Sequence, residues 1–380
     1  MTASGERGRP VRVALVGLGW AGRSIFWPRL DKHPLYEVTA VVEPDRSIRD
    51  RFAGDGSPRV LVHDADLDPA TTDLAVVAVP NHLHAPVATR LLHRGIPVFL
   101  EKPVCLSVAE ADQLAEAERA GGGVLLAGSA AKYRNDVRAL HDLAAGLGPI
   151  RHIDVAWVRA GGVPDAGGWF TSRRLSGGGA LVDLGWHLLD TVGSLLGPVD
   201  FEQVVGTVSD DFVNSGSRRA SWRRDGEEGT EASGTAPAPG DVGDVEDTAR
   251  GFLVTDGGVS VALRASWASH EARDITRITV EGRAGTATLT CTFGFSPNRQ
   301  GSVLTRTGDG VTVEVPLASE PIGAEYARQL DDLRDRLTDP RSRGAGVAQA
   351  RQTIGVIEQL YASARTAGQR RPLPAGHGAH

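Results

Sequence analysis

One stretch near the start limits what this chain can fold into. The β-branched run VRVALV (11–16) passes directly into Gly17-Leu-Gly19-Trp20-Ala21-Gly22. A buried strand followed by GxGxxG demands strand, tight turn and helix in that order. Gly17 permits the turn, Gly19 lets a pyrophosphate approach the backbone, and Gly22 lets the helix pack closely on the strand. Trp20 and Ala21 open the helix, whose N–H groups and positive dipole end suit phosphates. A second strand, YEVTAVV (36–42), leads to Glu43, 21 residues after Gly22. That is where an acid grips the adenosine ribose of a dinucleotide. A carboxylate there accepts from a 2′-hydroxyl and repels a 2′-phosphate, which favours NAD over NADP. Arg46 is near enough to assist a phosphate, so NADP stays possible.

The pattern continues in kind. DLAVVAV (73–79), PVFL (97–100) and GVLLA (123–127) are further apolar runs separated by helical stretches. Such alternation indicates a doubly wound parallel sheet covered on both faces. Ser107 and Glu110 form a capping box, Gly121 is placed to stop that helix, Gly95 ends the one before it, and Pro28 interrupts the first. The expected Rossmann domain covers residues 10–129.

Beyond residue 130 the pattern changes. Helices are expected near 134–146 and 180–196. The strand-like runs are IRHIDVAWVRA (150–160), FEQVVGTV, ARGFLVT, VSVALRASW, DITRITVEG and TATLTCTF. Two helices, near 323–338 and 345–365, finish the chain. The expected second domain, residues 130–368, is α+β with a largely antiparallel open sheet. Residues 214–243, rich in Gly, Ser, Pro and charge, read as a mobile insertion, with RRAS at Ser221 a solvated linker rather than a kinase site. Residues 1–9 and 369–380 read as flexible tails.

Composition closes off several classes. A net charge of −6 argues against general nucleic-acid binding. Two cysteines support neither a disulfide framework nor a Cys-rich zinc site, and no metal is expected. No apolar run is long enough to span a membrane, and the polar start MTASGERGRP lacks the apolar core of a signal peptide. A cytoplasmic protein is expected. Of 41 basic residues only Lys32, Lys102 and Lys132 are lysines. Arginine cannot give up a proton in a protein, so each lysine merits scrutiny.

Four stretches together resemble the Gfo/Idh/MocA family of oxidoreductases, named for glucose–fructose oxidoreductase and inositol dehydrogenase. They are VRVALVGLGWAG, VAVPNHLHAP (77–86), Glu101-Lys102-Pro103, and SGGGALVDLGWHLLD (176–190). DVEDTARGFLVTDGGVSVALRASW (244–267) is a weaker echo, and the likeness spans roughly residues 10–368. The resemblance implies that Lys102 lies by the nicotinamide and the reacting hydroxyl, with Asp183 and His187 beside it. It implies that Pro80, Asn81 and His84 line the cofactor crevice, that Glu101 contacts the nicotinamide ribose, and that Lys102–Pro103 is cis. Tyr133, Arg134 and Trp169-Phe170 fall where relatives border the substrate. Trp186 replaces a smaller or different side chain and is expected to shape the substrate pocket.

The residues read alone agree. Glu101-Lys102 ends a parallel strand, where doubly wound sheets bind ligands. Asp183 and His187, four apart, share a helix face; Asp190, three beyond His187, is within reach to orient it but is read as structural rather than chemical. Moving a hydride from carbon requires a partner for the hydroxyl proton. Histidine suits that near neutral pH, and an amine beside a cationic ring releases its proton more readily. His187 is expected as acid/base, Lys102 as polariser and relay, and Asp183 as holder of substrate or His187. Gly177–Gly179 are read as a tight helix entry or a close approach to cofactor, Cys105 as an inert buried thiol, and His82 and His93 as helix-surface residues. The expected activity is NAD(P)-linked transfer of hydride at a secondary alcohol of a sugar, sugar derivative or cyclitol, by a homodimer or homotetramer. A glycoside-cleaving enzyme using transient oxidation and a non-catalytic dinucleotide-binding regulator are the alternatives.

Overall fold

The computed structural model describes residues 9–52, 58–164, 168–215, 220 and 243–368. The tails and most of the insertion, with Ser221, lie outside the described residues. Asn214 and Gly243 at the base of the insertion are paired, side-chain amide to backbone, at 2.8 and 3.0 Å.

The first sheet is parallel throughout. Its strands are β1 (Val11–Val16), β2 (Tyr36–Val42), β3 (Arg59–Leu61), β4 (Leu74–Val77), β5 (Val98–Leu100) and β6 (Leu125–Ala127). They lie in the order β3-β2-β1-β4-β5-β6. The order reverses between β1 and β4, which opens a crevice at their carboxyl ends. A wide i→i+5 turn, Ala21–Phe26, leads into α1 (Trp27–Leu30), with Pro28 in its first turn. There follow α2 (Arg46–Arg49), α3 (Asn81–His93) and α4 (Val108–Gly121). Val13 and Leu15 face one side of the sheet, Ala14 and Val16 the other, and all four are buried. This two-sided burial is why the strand reads as a continuous apolar run.

Ser107 accepts from Glu110 N at 3.1 Å, while the Glu110 carboxylate reaches Leu106 N at 2.7 Å. The helix ends one residue later than expected, at the left-handed Gly122 (φ 78°). Gly121 instead allows close approach to α3, because a Cβ there would stand 1.7 Å from the Leu92 carbonyl oxygen.

The second sheet follows α5 (Asn135–Ala145). It comprises β7 (Ile150–Val158), β8 (Phe201–Ser209), β9 (Thr248–Thr255), β10 (Ser260–Ser266), β11 (Ile275–Gly282), β12 (Gly285–Cys291), β13 (Val303–Gly308) and β14 (Val311–Val315). The order is β14-β13-β12-β11-β7-β10-β9-β8, antiparallel except for the β7–β10 pair. Alternate residues, among them Ile153, Val155, Leu263, Ile278 and Leu289, are buried on one face. Helices cover that face: α5 packs on β12, α7 (Trp186–Leu196) on β7, and α9 (Ala345–Gly368) along β8. The short α6 (Arg173–Ser176) precedes α7, and α8 (Ala324–Thr338) precedes α9. Leu330 and Leu333 of α8 join the core of the first sheet, so late sequence completes an early domain's cover.

Three strands were not expected from sequence: β3, β13 and β14. β3 is a three-residue edge strand. β13 and β14 are partly exposed and rich in Thr, Arg and Val, yet they meet at Asp309-Gly310, both with positive φ (52° and 77°). Asp-Gly is the two-residue hairpin signal. No helix among the described residues is long and apolar enough to cross a membrane.

Candidate active site

The glycine turn has the geometry that its residues dictate. Gly17 is left-handed (φ 92°), and a Cβ on it would stand 2.8 Å from the Ala78 carbonyl oxygen. A Cβ on Gly22 would meet the Gly17 carbonyl oxygen at 2.1 Å. At Gly19 nothing lies within 4 Å, so the space a pyrophosphate needs is open. Glu43, almost fully buried, accepts from Leu18 N at 2.8 Å and Asp45 N at 3.0 Å. It ties the turn to the end of β2, and each oxygen keeps a second lone pair for a ribose hydroxyl. Arg46 is exposed on α2 and stands 3.7 Å from Asp50.

A cleft of about 270 Å³ opens over the carboxyl ends of β1, β4 and β5. Gly19, Trp20, Ala21, Pro80, Asn81, His84, Glu101, Lys102, Trp169, Asp183 and His187 all line it. Asn81 donates to the Ser176 carbonyl at 3.0 Å. The ring nitrogens of His84 face the carbonyl oxygens of Pro103 (2.6 Å) and Val79 (2.8 Å). Burial pushes its pKa down to about 4, against those carbonyls, which favour the protonated ring. Glu101 accepts from Lys102 N at 2.6 Å; burial raises its pKa, opposed by the Lys102 charge. The Lys102–Pro103 peptide is cis.

At the centre, Lys102 Nζ meets Asp183 Oδ1 at 2.7 Å. Trp267 Nε1 donates to Asp183 Oδ2 at 2.9 Å, and an Arg159 nitrogen stands 3.9 Å from the same oxygen. Burial alone would raise the Asp183 pKa. The charges of Lys102 and Arg159 and the donated hydrogen bonds outweigh it and hold the carboxyl well below the usual carboxylate range. His187 is 8% exposed, in the first turn of α7, its ring 5.5 Å from that of Trp157. Burial, then the Lys102 charge, lowers its pKa to about 3, so it is a neutral base at ordinary pH.

Several expectations need correcting. Tyr133 and Arg134 do not border the cleft. The Tyr133 hydroxyl donates to the Asp332 carboxylate, and Arg134 grips Asp136 at 2.9 and 2.6 Å beneath Phe293, so both are spent inside the protein. Trp186 is 1% exposed and belongs to the core behind α7. Asp183 turns its oxygens to Lys102 and Trp267 rather than to His187. Asp190, read from sequence as structural, faces Gln349 and Thr353, each at 3.4 Å, and not His187. Gly178 and Gly179 allow close protein packing, on Tyr361 and on Glu246. His93 is exposed and His82 half-buried. Cys105 is fully buried, which raises its thiol pKa.

Sequence reasoning missed Trp157, Arg159 and Trp267, and the wall formed by Phe295 and Tyr326. Phe295 stacks on Tyr326 (5.7 Å) and meets the Trp20 ring edge-on (5.5 Å), closing the cleft beside the glycine turn. Arg159 follows β7 and Trp267 follows β10, so a large polar side chain at a strand exit was the available signal.

Residues 11–129 match the oxidoreductase family model with an NAD-binding Rossmann fold, and residues 137–288 match the Gfo/Idh/MocA C-terminal domain. The chain belongs to the Gfo/Idh/MocA oxidoreductase family. It is accordingly an oxidoreductase that uses a nicotinamide cofactor. It is 56% identical, over 96% of its length and 99% of the relative's, to an Amycolatopsis mediterranei protein provisionally named UDP-kanosamine synthase oxidoreductase subunit. GenD2 from gentamicin A biosynthesis, solved with NAD, is 25% identical with a TM-score of 0.73, over 97% of each chain. KijD10, a 3-ketoreductase from Actinomadura kijaniata solved with NADP and TDP-benzene, shares the fold at 20% identity (TM-score 0.70, 92% of this chain and 98% of that one).

Proposed function

We propose that this enzyme uses NAD to oxidise one secondary hydroxyl of a UDP-linked hexose, giving a ketone that a partner enzyme aminates. The carrying observation is that Lys102 Nζ, fixed by Asp183 at 2.7 Å, and the neutral His187 line the same cleft as Gly19, where the space beside the glycine is open. The sugar class is carried by the relative of 56% identity, whose name couples an oxidoreductase subunit to synthesis of a UDP-linked amino sugar. Replacing a hydroxyl with an amine by transamination requires the ketone in between.

Residues 10–129 would hold the cofactor, with Gly17–Gly22 at the pyrophosphate, Glu43 at the adenosine ribose, and Pro80, Asn81 and Glu101 toward the nicotinamide. When bound, that group supplies the hydride acceptor. Lys102 donates a hydrogen bond to the substrate oxygen and stabilises the charge it gains. His187 takes the hydroxyl proton as the carbon gives up its hydride. Asp183 stays ionised and anchors Lys102. Residues 130–368 supply the substrate's side of the cleft, where Trp169 and Phe170 offer flat apolar surface to a sugar ring.

The test is incubation with NAD and UDP-glucose, UDP-galactose or UDP-N-acetylglucosamine, with the ketone trapped as its oxime by hydroxylamine. An oxime and matching NADH are expected. Free glycose with no net NADH would favour the transient-oxidation chemistry and overturn this reading. The buried Glu43 carboxylate also predicts tighter binding of NAD than NADP, by about tenfold or more, since it repels a 2′-phosphate. Titration of both nucleotides by protein fluorescence measures this, and equal affinities would refute it.

A further inference from the structure

Asp183 divides its oxygens between two kinds of donor, an ammonium on Oδ1 and an indole N–H on Oδ2. We propose that Trp267 is a positioning residue for the hydroxyl chemistry, its N–H fixing the plane of the Asp183 carboxylate and, through it, the place of Lys102 Nζ. The inference rests on the roles given above to Lys102 and Asp183.

An ammonium is a compact charge on a flexible stem, with three rotatable donors. Paired with a carboxylate alone, it can slide between the two oxygens. An indole has one donor with one direction, so a rigidly held indole defines which oxygen is taken and how the carboxylate lies. Trp267 is rigidly held. It is fully buried, its backbone N–H donates to the Asp247 carbonyl at 2.8 Å, and its ring packs 6.1 Å from that of Phe170. It directly follows β10, which lies between β7 and β9 inside the second sheet. Asp183 itself lies in a wide i→i+5 turn, Leu181–Gly185. Arg159, at 3.9 Å, contributes charge from beyond hydrogen-bond length. The indole N–H and the Arg159 charge both lie on the Oδ2 side, so Oδ1 is the less crowded oxygen; Lys102 takes it, and the ammonium is carried at the cleft. Trp267 is not among the cleft-lining residues, so it acts through Asp183 from behind.

Two variants separate the donor from the shape. Trp267→Phe removes the N–H and some volume. Benzothienylalanine incorporated at position 267 keeps the bicyclic shape and puts sulfur in place of the N–H. Both are expected to lower kcat about tenfold, with KM and NADH affinity within about twofold of wild type, because a misplaced ammonium costs rate rather than binding. In 15N-labelled protein the Trp267 indole proton is expected downfield, and Asp183→Asn moves it upfield. That readout needs no substrate, so a wild-type enzyme inert toward every sugar would refute the functional reading and leave this contact testable. Wild-type kcat in the benzothienylalanine protein overturns the proposal. So does a loss of NADH affinity equal to the loss of kcat, or an indole resonance that ignores Asp183→Asn.

Discussion

Replacing Lys102 with methionine is expected to lower kcat about a thousandfold, roughly 4 kcal/mol of transition-state stabilisation, with NAD affinity nearly unchanged. Methionine keeps much of the stem and removes the charge, so the loss reports the ammonium rather than a cavity. In alcohol oxidation the substrate oxygen gains negative charge as its proton departs. A preorganised cation aimed at that oxygen in a water-poor cleft is worth far more than one in solvent. The fold should tolerate the change. Asp183 keeps the Trp267 N–H at 2.9 Å and the Arg159 charge at 3.9 Å, so it is not left as a lone buried anion. A second consequence is independent of the rate. After burial, the Lys102 charge is the largest cause lowering the His187 pKa, so that pKa should rise in the variant. Steady-state kinetics and histidine NMR measure the two effects. A Lys102→Met enzyme near the wild-type rate would remove Lys102 from the chemistry.

What the sequence made legible follows from distance along the chain. The glycine turn, Glu43 and the Glu101-Lys102-Pro103 run are local patterns at the ends of β1, β2 and β5, and the crossover rule of parallel sheets brings those carboxyl ends to one side. Asp183 and His187 are local too, four apart in sequence, one in the wide turn Leu181–Gly185 and the other in the first turn of α7 that continues it. Arg159 and Trp267 reach the same carboxylate because the β7–β10 pairing sets their strand exits side by side; the Trp267 bond spans 84 residues. No periodicity announces such a meeting. Tyr133 and Arg134 show the opposite failure: their types suit a sugar, but Asp332 and Asp136 had already claimed them. Trp186 neighbours His187 in sequence, yet a helix turns each residue about 100° from the last, which carries it into the core.

His187→Gln is expected to lower kcat by a factor of about 100 to 10,000, the usual range for a positioned general base. The pH dependence is the sharper signature. The ring must be neutral to accept the hydroxyl proton, and burial with the Lys102 charge places its pKa at about 3 in the free protein. The kcat/KM for oxidation should therefore stay flat as pH falls past about 6.5, the ordinary histidine value, and decline only well below it. In the glutamine variant no such limb remains, and residual activity should climb with hydroxide. Stability follows the same sign. A histidine whose folded pKa is depressed contributes stability that is full above its unfolded pKa and is lost as pH falls toward the folded one. Between about pH 6.5 and pH 3 the wild type should thus lose stability more steeply than His187→Gln. Initial rates and denaturant midpoints across that window test both. A wild-type acid limb sitting at the ordinary histidine value would mean that the ring is not desolvated in the way its burial beside Trp157 requires.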